Sequence, residues 1–203
     1  MSTSLPGTAH IVDDDEAIRD ALTWLLKSRG ITARCWPSAE AFLADYQPKM
    51  RGCLVLDVRM EDMSGPELFD RLRALGCRMP VLYLTGHGDV PLAVQSLKKG
   101  AFDFIEKPCN DNLLADRVAE ALQLDAEVNR KISHQDSVSE RLATLTQRER
   151  EVMDAVLAGK LNKVIAAELN IAMRTVEVHR ARVFEKMEVK SAVELAKVLS
   201  GQS

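Results

Sequence analysis

Short apolar runs alternate with longer amphipathic stretches through the first part of the chain. Ala9-His10-Ile11-Val12, Cys53-Leu54-Val55-Leu56, Val81-Leu82-Tyr83-Leu84 and Phe102-Asp103-Phe104-Ile105 are mainly apolar over four residues. Runs of that kind predict strands buried on both faces of a parallel sheet. A weaker run, Ile31 to Trp36, predicts the second strand, ended by Pro37. Between the strands the period is helical. Ala17, Ile18, Ala21, Leu22, Leu25 and Leu26 share one face, closed at Arg29-Gly30. Ser38 opens a short helix to about Tyr46, and Ser64-Gly65-Pro66-Glu67 reads as a capping box ahead of Leu68, Leu72 and Leu75. Gly86-His87-Gly88 turns into a helix capped by Asp89 and stopped by Gly100; Leu113, Leu114, Val118, Ala121 and Leu122 mark the next. Five βα units predict an α/β domain, a flavodoxin-like, doubly wound, five-stranded parallel sheet with helices on both faces. Periodicity leaves the strand order open.

The strands stop on polar groups. The first ends at Asp13-Asp14-Asp15, the third at Asp57, the fourth at Thr85 and the fifth at Glu106-Lys107-Pro108. Open α/β sheets hold their sites at the carboxyl ends of the strands, so acids, a hydroxyl and an ammonium converge around Asp57. Clustered carboxylates repel, and a hard divalent cation with oxygen ligands relieves them. Magnesium suits this, because it keeps several waters and uses one or two carboxylates plus phosphate oxygens. Plainer roles compete residue by residue: Asp15 as a helix N-cap, the acidic triplet as a charge cluster at a helix N-terminus, Thr85 as a turn hydroxyl, Lys107 as a solvated lysine. Agreement at four separate strand ends favours the joint site. No phosphate-binding glycine loop of the Walker or dinucleotide type is present.

From Leu124 to Glu140 the pattern turns polar without proline or glycine, which predicts a partly helical linker. Four short helices follow. Thr146-Gln147-Arg148-Glu149 is a capping box opening the first, closed by Gly159. Asn162 is expected to cap the second, and Ser191 the fourth. Helix, tight turn at Asn170-Ile171-Ala172, helix is the layout of a DNA-reading helix-turn-helix. On the third helix Val176, Val183, Phe184 and Met187 fall on a core side, with Arg174, Val178, Ala181, Arg182 and Glu185 opposite. Arginine mixed with small and apolar residues suits the major groove, Arg182 toward a guanine edge and Val178 toward a thymine methyl. The expected division is 1–123, 124–140 as linker and 141–203.

Charge supports two jobs. Residues 1–125 carry 14 Lys+Arg against 19 Asp+Glu, and residues 126–203 carry 13 against 11, so the net −3 divides as −5 and +2. No apolar stretch approaches a membrane span and no secretory signal opens the chain, so a cytoplasmic protein with no membrane partner is expected. The four cysteines show no Cys-x-x-Cys spacing and read as reduced thiols.

Asp13-Asp14, Asp57, Thr85 and Lys107-Pro108, with Leu56 to Gly65 and Leu84 to Val90, resemble the receiver domain of two-component response regulators, FixJ-type branch, over residues 8–122. Leu145-Thr146-x-Arg148-Glu149-Arg150-Glu151-Val152, Gly159-x-x-Asn162-Lys163-x-Ile165-Ala166 and Arg174-Thr175-Val176-Glu177-x-His179-Arg180 resemble the LuxR-type domain of FixJ/NarL regulators, over about 141–199. The resemblance implies Asp57 as phosphoryl acceptor. It implies Asp14, Asp57 and the backbone carbonyl of Arg59 as ligands of Mg2+ (or Mn2+), with Asp13 acting through water. Thr85, Lys107 and the switch aromatic Phe104 would report the change, the 89–122 face would dimerise, and Lys107-Pro108 would be cis. In the second domain it implies Lys163 on phosphate, with Thr175 and Arg180 also on the backbone.

The implied partners are a sensor histidine kinase, promoter DNA, a second copy of the chain, and RNA polymerase where transcription is activated. Three positions depart from the family pattern: Glu61 for proline, Cys109 for phenylalanine, and Ala172 for a capping serine or threonine. The implied function is a transcriptional response regulator rather than an enzyme, the receiver supporting only its own phosphorylation and dephosphorylation. One rival is a phosphotransferase or phosphatase acting on external substrates. Against it, the second residue after Asp57 is Arg59 and not an aspartate. The other is a phosphorylation-independent DNA-binding regulator with a degenerate receiver.

Overall fold

The computed structural model describes residues 7–86 and 90–201. Contacts divide the chain into two compact units, Met1–Val128 and Asn129–Ser203.

In the first unit, strands β1 (Thr8–Val12), β2 (Ala33–Trp36), β3 (Gly52–Asp57), β4 (Val81–Thr85) and β5 (Asp103–Glu106) form one sheet in the order β2-β1-β3-β4-β5. Every pairing is parallel. Helices α1 (Glu16–Ser28), α2 (Ala39–Asp45), α3 (Gly65–Ala74), α4 (Val90–Lys98) and α5 (Asp111–Ala143) connect and follow them. Strand alternation sorts the core into two layers. Leu54, Leu56 and Tyr83 pack with Phe42 and Phe69 of α2 and α3. Cys53, Val55 and Leu82 face the other way, onto Leu22 and Leu26 of α1 and Leu114, Val118 and Leu122 of α5.

Caps set where the helices start. Asp15 accepts from the Ala17 and Ile18 N–H groups, Ser38 from Ala41, and Ser64 and Glu67 close a full capping box. Two strand limits differ from the sequence expectation. The β2 ladder begins at Ala33 rather than Ile31, because Ile31 is spent as a buried plug beneath α1. The β5 ladder is Asp103–Glu106, one residue later than expected. The expected turn at His87-Gly88 and cap at Asp89 lie outside the described residues. The stretch 124–140 lies within α5.

The second unit holds α6 (Gln147–Leu157), α7 (Asn162–Leu169), α8 (Met173–Lys186) and α9 (Ala192–Ser200). Thr146 and Glu149 form a reciprocal capping box on α6, and Ser191 caps α9. The expectation for Asn162 is corrected. It is the first residue of α7, the N-cap is Leu161, and no side chain caps this helix. The Asn162 amide oxygen instead accepts from Arg180 Nη1 at 3.0 Å. No helix among the described residues is long and apolar enough to cross a membrane.

Candidate functional site

β1, β3 and β5 run parallel, so their carboxyl ends deliver Asp13, Asp57 and Lys107 to one edge of the sheet. Lys107 Nζ lies 2.6 Å from Asp57 Oδ1 and 3.0 Å from Asp13 Oδ2, one ammonium shared by two carboxylates. Both acids are buried. The second oxygen of each is held by backbone: Arg59 N–H donates to Asp57 Oδ2 at 2.8 Å, and Asp15 N–H to Asp13 Oδ1 at 2.9 Å. Gly65 is required here, because a Cβ at that position would stand 2.2 Å from the Asp57 carbonyl oxygen.

Burial holds the Asp57 carboxyl above the ordinary carboxylate range, with repulsion from Asp13 adding to it, against the opposing pull of Lys107 and the Arg59 N–H. Burial alone would pull Lys107 down, but its bonds to Asp57 and Asp13 leave it raised. Two negative charges therefore share one positive charge in a place that penalises charge. A second cation with oxygen ligands fits that imbalance. Among the described residues no three ligating His, Cys, Asp or Glu side chains form a ready cage. Magnesium does not need one, since water completes its shell.

The other expected members stand differently. Asp14 is exposed on the loop after β1. Thr85 is fully buried, with its hydroxyl donating to the Gly86 carbonyl at 3.1 Å. Phe104, half-buried on β5, packs beside the layer containing Tyr83. The Lys107-Pro108 bond is cis. One contributor has no sequence signal. Arg19 Nη1 donates to the Asp13 backbone carbonyl at 2.7 Å, fixing the loop that carries the acids. A single arginine on an amphipathic helix reads as solvated, and only the fold turns it inward.

The second unit carries a helix-turn-helix. α7 ends on Asn170 in the left-handed conformation (φ 52°), and α8 starts from Ala172 with no side-chain cap. Val176 and Val183 of α8 and its C-cap Met187 are buried, while Arg174, Thr175, Val178, Ala181 and Arg182 are all exposed. Lys163 is exposed in the first turn of α7. Arg180 is not free in the same way: besides the Asn162 bond, its guanidinium lies 5.4 Å over the Phe184 ring.

An acid cluster at the carboxyl edge of a doubly wound parallel sheet, joined to a helix-turn-helix, defines a two-module regulator with separate input and DNA-binding parts. Residues 9–119 match the response regulator receiver domain, and residues 143–199 the luxR family of bacterial regulatory proteins. The C4-dicarboxylate transport transcriptional regulatory protein DctR of Rhodobacter capsulatus is 51% identical over 94% of this chain and 98% of its own length. The transcriptional regulatory protein FixJ of Rhizobium meliloti is 45% identical, over 94% of each chain. The solved structure of response regulator StyR superposes with a TM-score of 0.89 at 38% identity, covering 96% of this chain and 98% of that one. The chain belongs to the response regulator family, with a receiver domain and a LuxR-type DNA-binding domain. Its relatives are transcriptional regulators, and switching by phosphorylation is typical of the family.

Proposed function

We propose that the chain is a transcriptional regulator switched at Asp57 by a partner histidine kinase. The observation that carries this reading is the Lys107 ammonium shared between two buried carboxylates. In the proposed reaction an Asp57 oxygen forms the bond to phosphorus while the bond from phosphorus to the kinase histidine breaks. Lys107 then has a phosphoryl oxygen to follow in place of a carboxylate oxygen, a task suited to a flexible point charge. Asp14, Asp57 and the Arg59 carbonyl would hold Mg2+ (or Mn2+), with Asp13 acting through water. The cation would offset charge on the transferred oxygens.

A phosphoryl group adds about −1.5 to −2 charges at neutral pH. The Thr85 hydroxyl, rotated away from the Gly86 carbonyl, would donate to it. Phe104 would repack, and the 89–122 face would then pair with a second copy. Residues 1–123 serve as receiver, 124–140 as linker and 141–203 as DNA-binding domain in this reading. Lys163 and Thr175 hold phosphates, and Arg174, Val178, Ala181 and Arg182 meet base edges. Two half-sites about one helical turn apart suit a two-fold pair. RNA polymerase is a further partner, and the cytoplasm is where such a protein meets its kinase and promoter.

The test is acetyl-phosphate labelling read by intact mass, with sizing and DNA affinity measured on the same sample. One phosphoryl group, lost in Asp57→Asn, with tighter DNA binding by the labelled protein, is expected. Equal affinity with and without the donor would instead favour a phosphorylation-independent regulator. Asp57-dependent turnover of a generic phosphomonoester would favour an enzyme.

A further inference from the structure

The last turns of α5 are built into the helical unit. Val138 and Leu142 pack on the cluster formed by Leu145, Met153, Val183 and Met187. Polar bonds reinforce this packing. Lys186 Nζ on α8 donates to the Thr144 carbonyl just after α5 at 2.9 Å, and Arg150 Nη2 on α6 to the Leu142 carbonyl at 3.0 Å. The end of α8 thus faces the end of the helix that connects the two units.

α8 closes in an unusual way. Val189 N–H returns to the Phe184 carbonyl at 2.9 Å, and Glu188 takes φ 54°. That is the position of this helix ending that glycine normally fills, and a glutamate there is strained. The strain has a local counterpart. Arg141 Nη1 donates to the Met187 carbonyl at 3.1 Å, while Nη2 pairs with Glu188 Oε2 at 2.9 Å. One planar guanidinium therefore holds both a terminal carbonyl, which lacks an intrahelical donor, and the strained residue after it.

We propose that Arg141 is a positioning residue for DNA recognition, fixing the angle at which α8 is presented by tying its end to the end of α5. This rests on the reading that α8 meets base edges. Base contacts tolerate little misplacement, whereas phosphate attraction acts over roughly a Debye length, about 8–10 Å at physiological salt. Loss of Arg141 should therefore cost discrimination between sequences and not general affinity.

The experiment uses the full chain and two probes: a duplex selected from a random pool by the unaltered protein, and poly(dI-dC). Arg141→Ala, which removes both bonds to the end of α8, should weaken binding to the selected duplex about tenfold. Affinity for poly(dI-dC) and the salt slope should stay unchanged. Glu188→Gly removes the ion pair while relieving the left-handed strain. It should bind the selected duplex more weakly with a melting temperature at or above that of the unaltered protein, an outcome no purely structural role produces. Equal weakening on both probes, a salt slope smaller by about one (the mark of a phosphate contact), or full discrimination in both variants would overturn the proposal. If the unaltered protein selects no sequence at all, the base-reading assignment of α8 fails first and the proposal with it.

Discussion

Replacing Asp57 by asparagine should make the first unit more stable at neutral pH, although it deletes an ion pair of 2.6 Å. The competing effects can be sized. At an effective dielectric of about 20, the Lys107 attraction at that distance is about 6 kcal/mol. Asp57 Oδ1 and Asp13 Oδ2 both touch the same nitrogen, at 2.6 and 3.0 Å. The two oxygens are therefore no more than about 5.6 Å apart, and their repulsion is about 3 kcal/mol or more. Burying a carboxylate costs several kcal/mol in addition. The two unfavourable effects together exceed the attraction, in agreement with the raised Asp57 pKa. Asparagine keeps an oxygen for the Arg59 N–H and leaves Asp13 and Lys107 as a one-to-one pair. A net gain of about 1 kcal/mol is expected, roughly 3–6 °C in melting temperature.

Urea unfolding followed by tryptophan fluorescence measures this cleanly, because both tryptophans, Trp24 and Trp36, lie in the first unit and Trp36 is buried. The midpoint should rise with an unchanged slope. A group whose folded pKa is raised destabilises the fold as pH climbs through that pKa, and has no effect below its unfolded value. The asparagine advantage should thus be absent below about pH 3.8, the ordinary value for the group, and grow as pH rises above it. A lower midpoint at pH 7.5, or a gain that persists unchanged in acid, would refute the charge accounting.

Three further outcomes follow from single groups. Ala172→Ser should stabilise the second unit by about 1 kcal/mol by capping α8, read by calorimetry; no shift would mean that the turn cannot present the hydroxyl. Glu149, pulled down to about 2 chiefly by the Lys186 ammonium at 2.6 Å, contributes stability that is present above pH 4.5 and lost as pH falls toward 2. Glu149→Gln should lose about 1–2 kcal/mol at pH 7, well below the shift's face value because Lys186 is a third exposed; unchanged melting would dismiss the pair. Burial pulls His10 below its ordinary 6.5, against its bond to the Arg51 carbonyl, so the unfolded chain takes the proton first. The His10 contribution to first-unit stability should be lost as pH drops below about 6.5, and the difference between the unaltered protein and His10→Gln in urea titrations across pH 5–8 should carry that slope.

Local chemistry was readable wherever a residue's partner is its near neighbour in the chain. The caps at Asp15, Ser38, Ser64, Thr146 and Ser191 each bond within three residues, and each stands where spacing alone puts it. Strand ends were readable in part for a related reason: a parallel sheet sends every carboxyl end to the same edge, which brings Asp13, Asp57 and Lys107 into contact, while Asp14 faces solvent and Thr85 bonds the Gly86 carbonyl. Legibility stops where the partner is distant. Asn162 has the composition of a cap, yet its oxygen goes to Arg180, eighteen residues on. Arg19 and Arg141 look solvated until the carbonyls of Asp13 and Met187 are brought to them. The polar stretch before Ala143 is ambiguous by itself, because Val138 and Leu142 form a face only once Val183 and Met187 stand opposite.

These distant bonds bear on how the two proposed activities can coexist in one chain. The acid site is electrostatically unsatisfied, with two buried carboxylates on one ammonium, and such a site gains from any added positive charge or from the loss of a negative one. The junction of α5, α6 and α8 is the reverse case: Arg141 bonds the Met187 carbonyl after α8, while Lys186 and Arg150 bond the Thr144 and Leu142 carbonyls at the end of α5. A unit held that firmly resists internal rearrangement, so a signal generated at Asp57 has little reason to reshape α8 itself. It is better placed to change how often two intact DNA-binding units are brought to neighbouring half-sites. Pairing alone then tightens binding through effective concentration, by up to about 10²–10⁴-fold, with no new contact to DNA. On that argument phosphorylation should leave the affinity of a single half-site unchanged while raising that of a paired site. Fluorescence anisotropy on duplexes carrying one or two half-sites decides it, and equal enhancement on both would place the switch inside the DNA-binding unit after all.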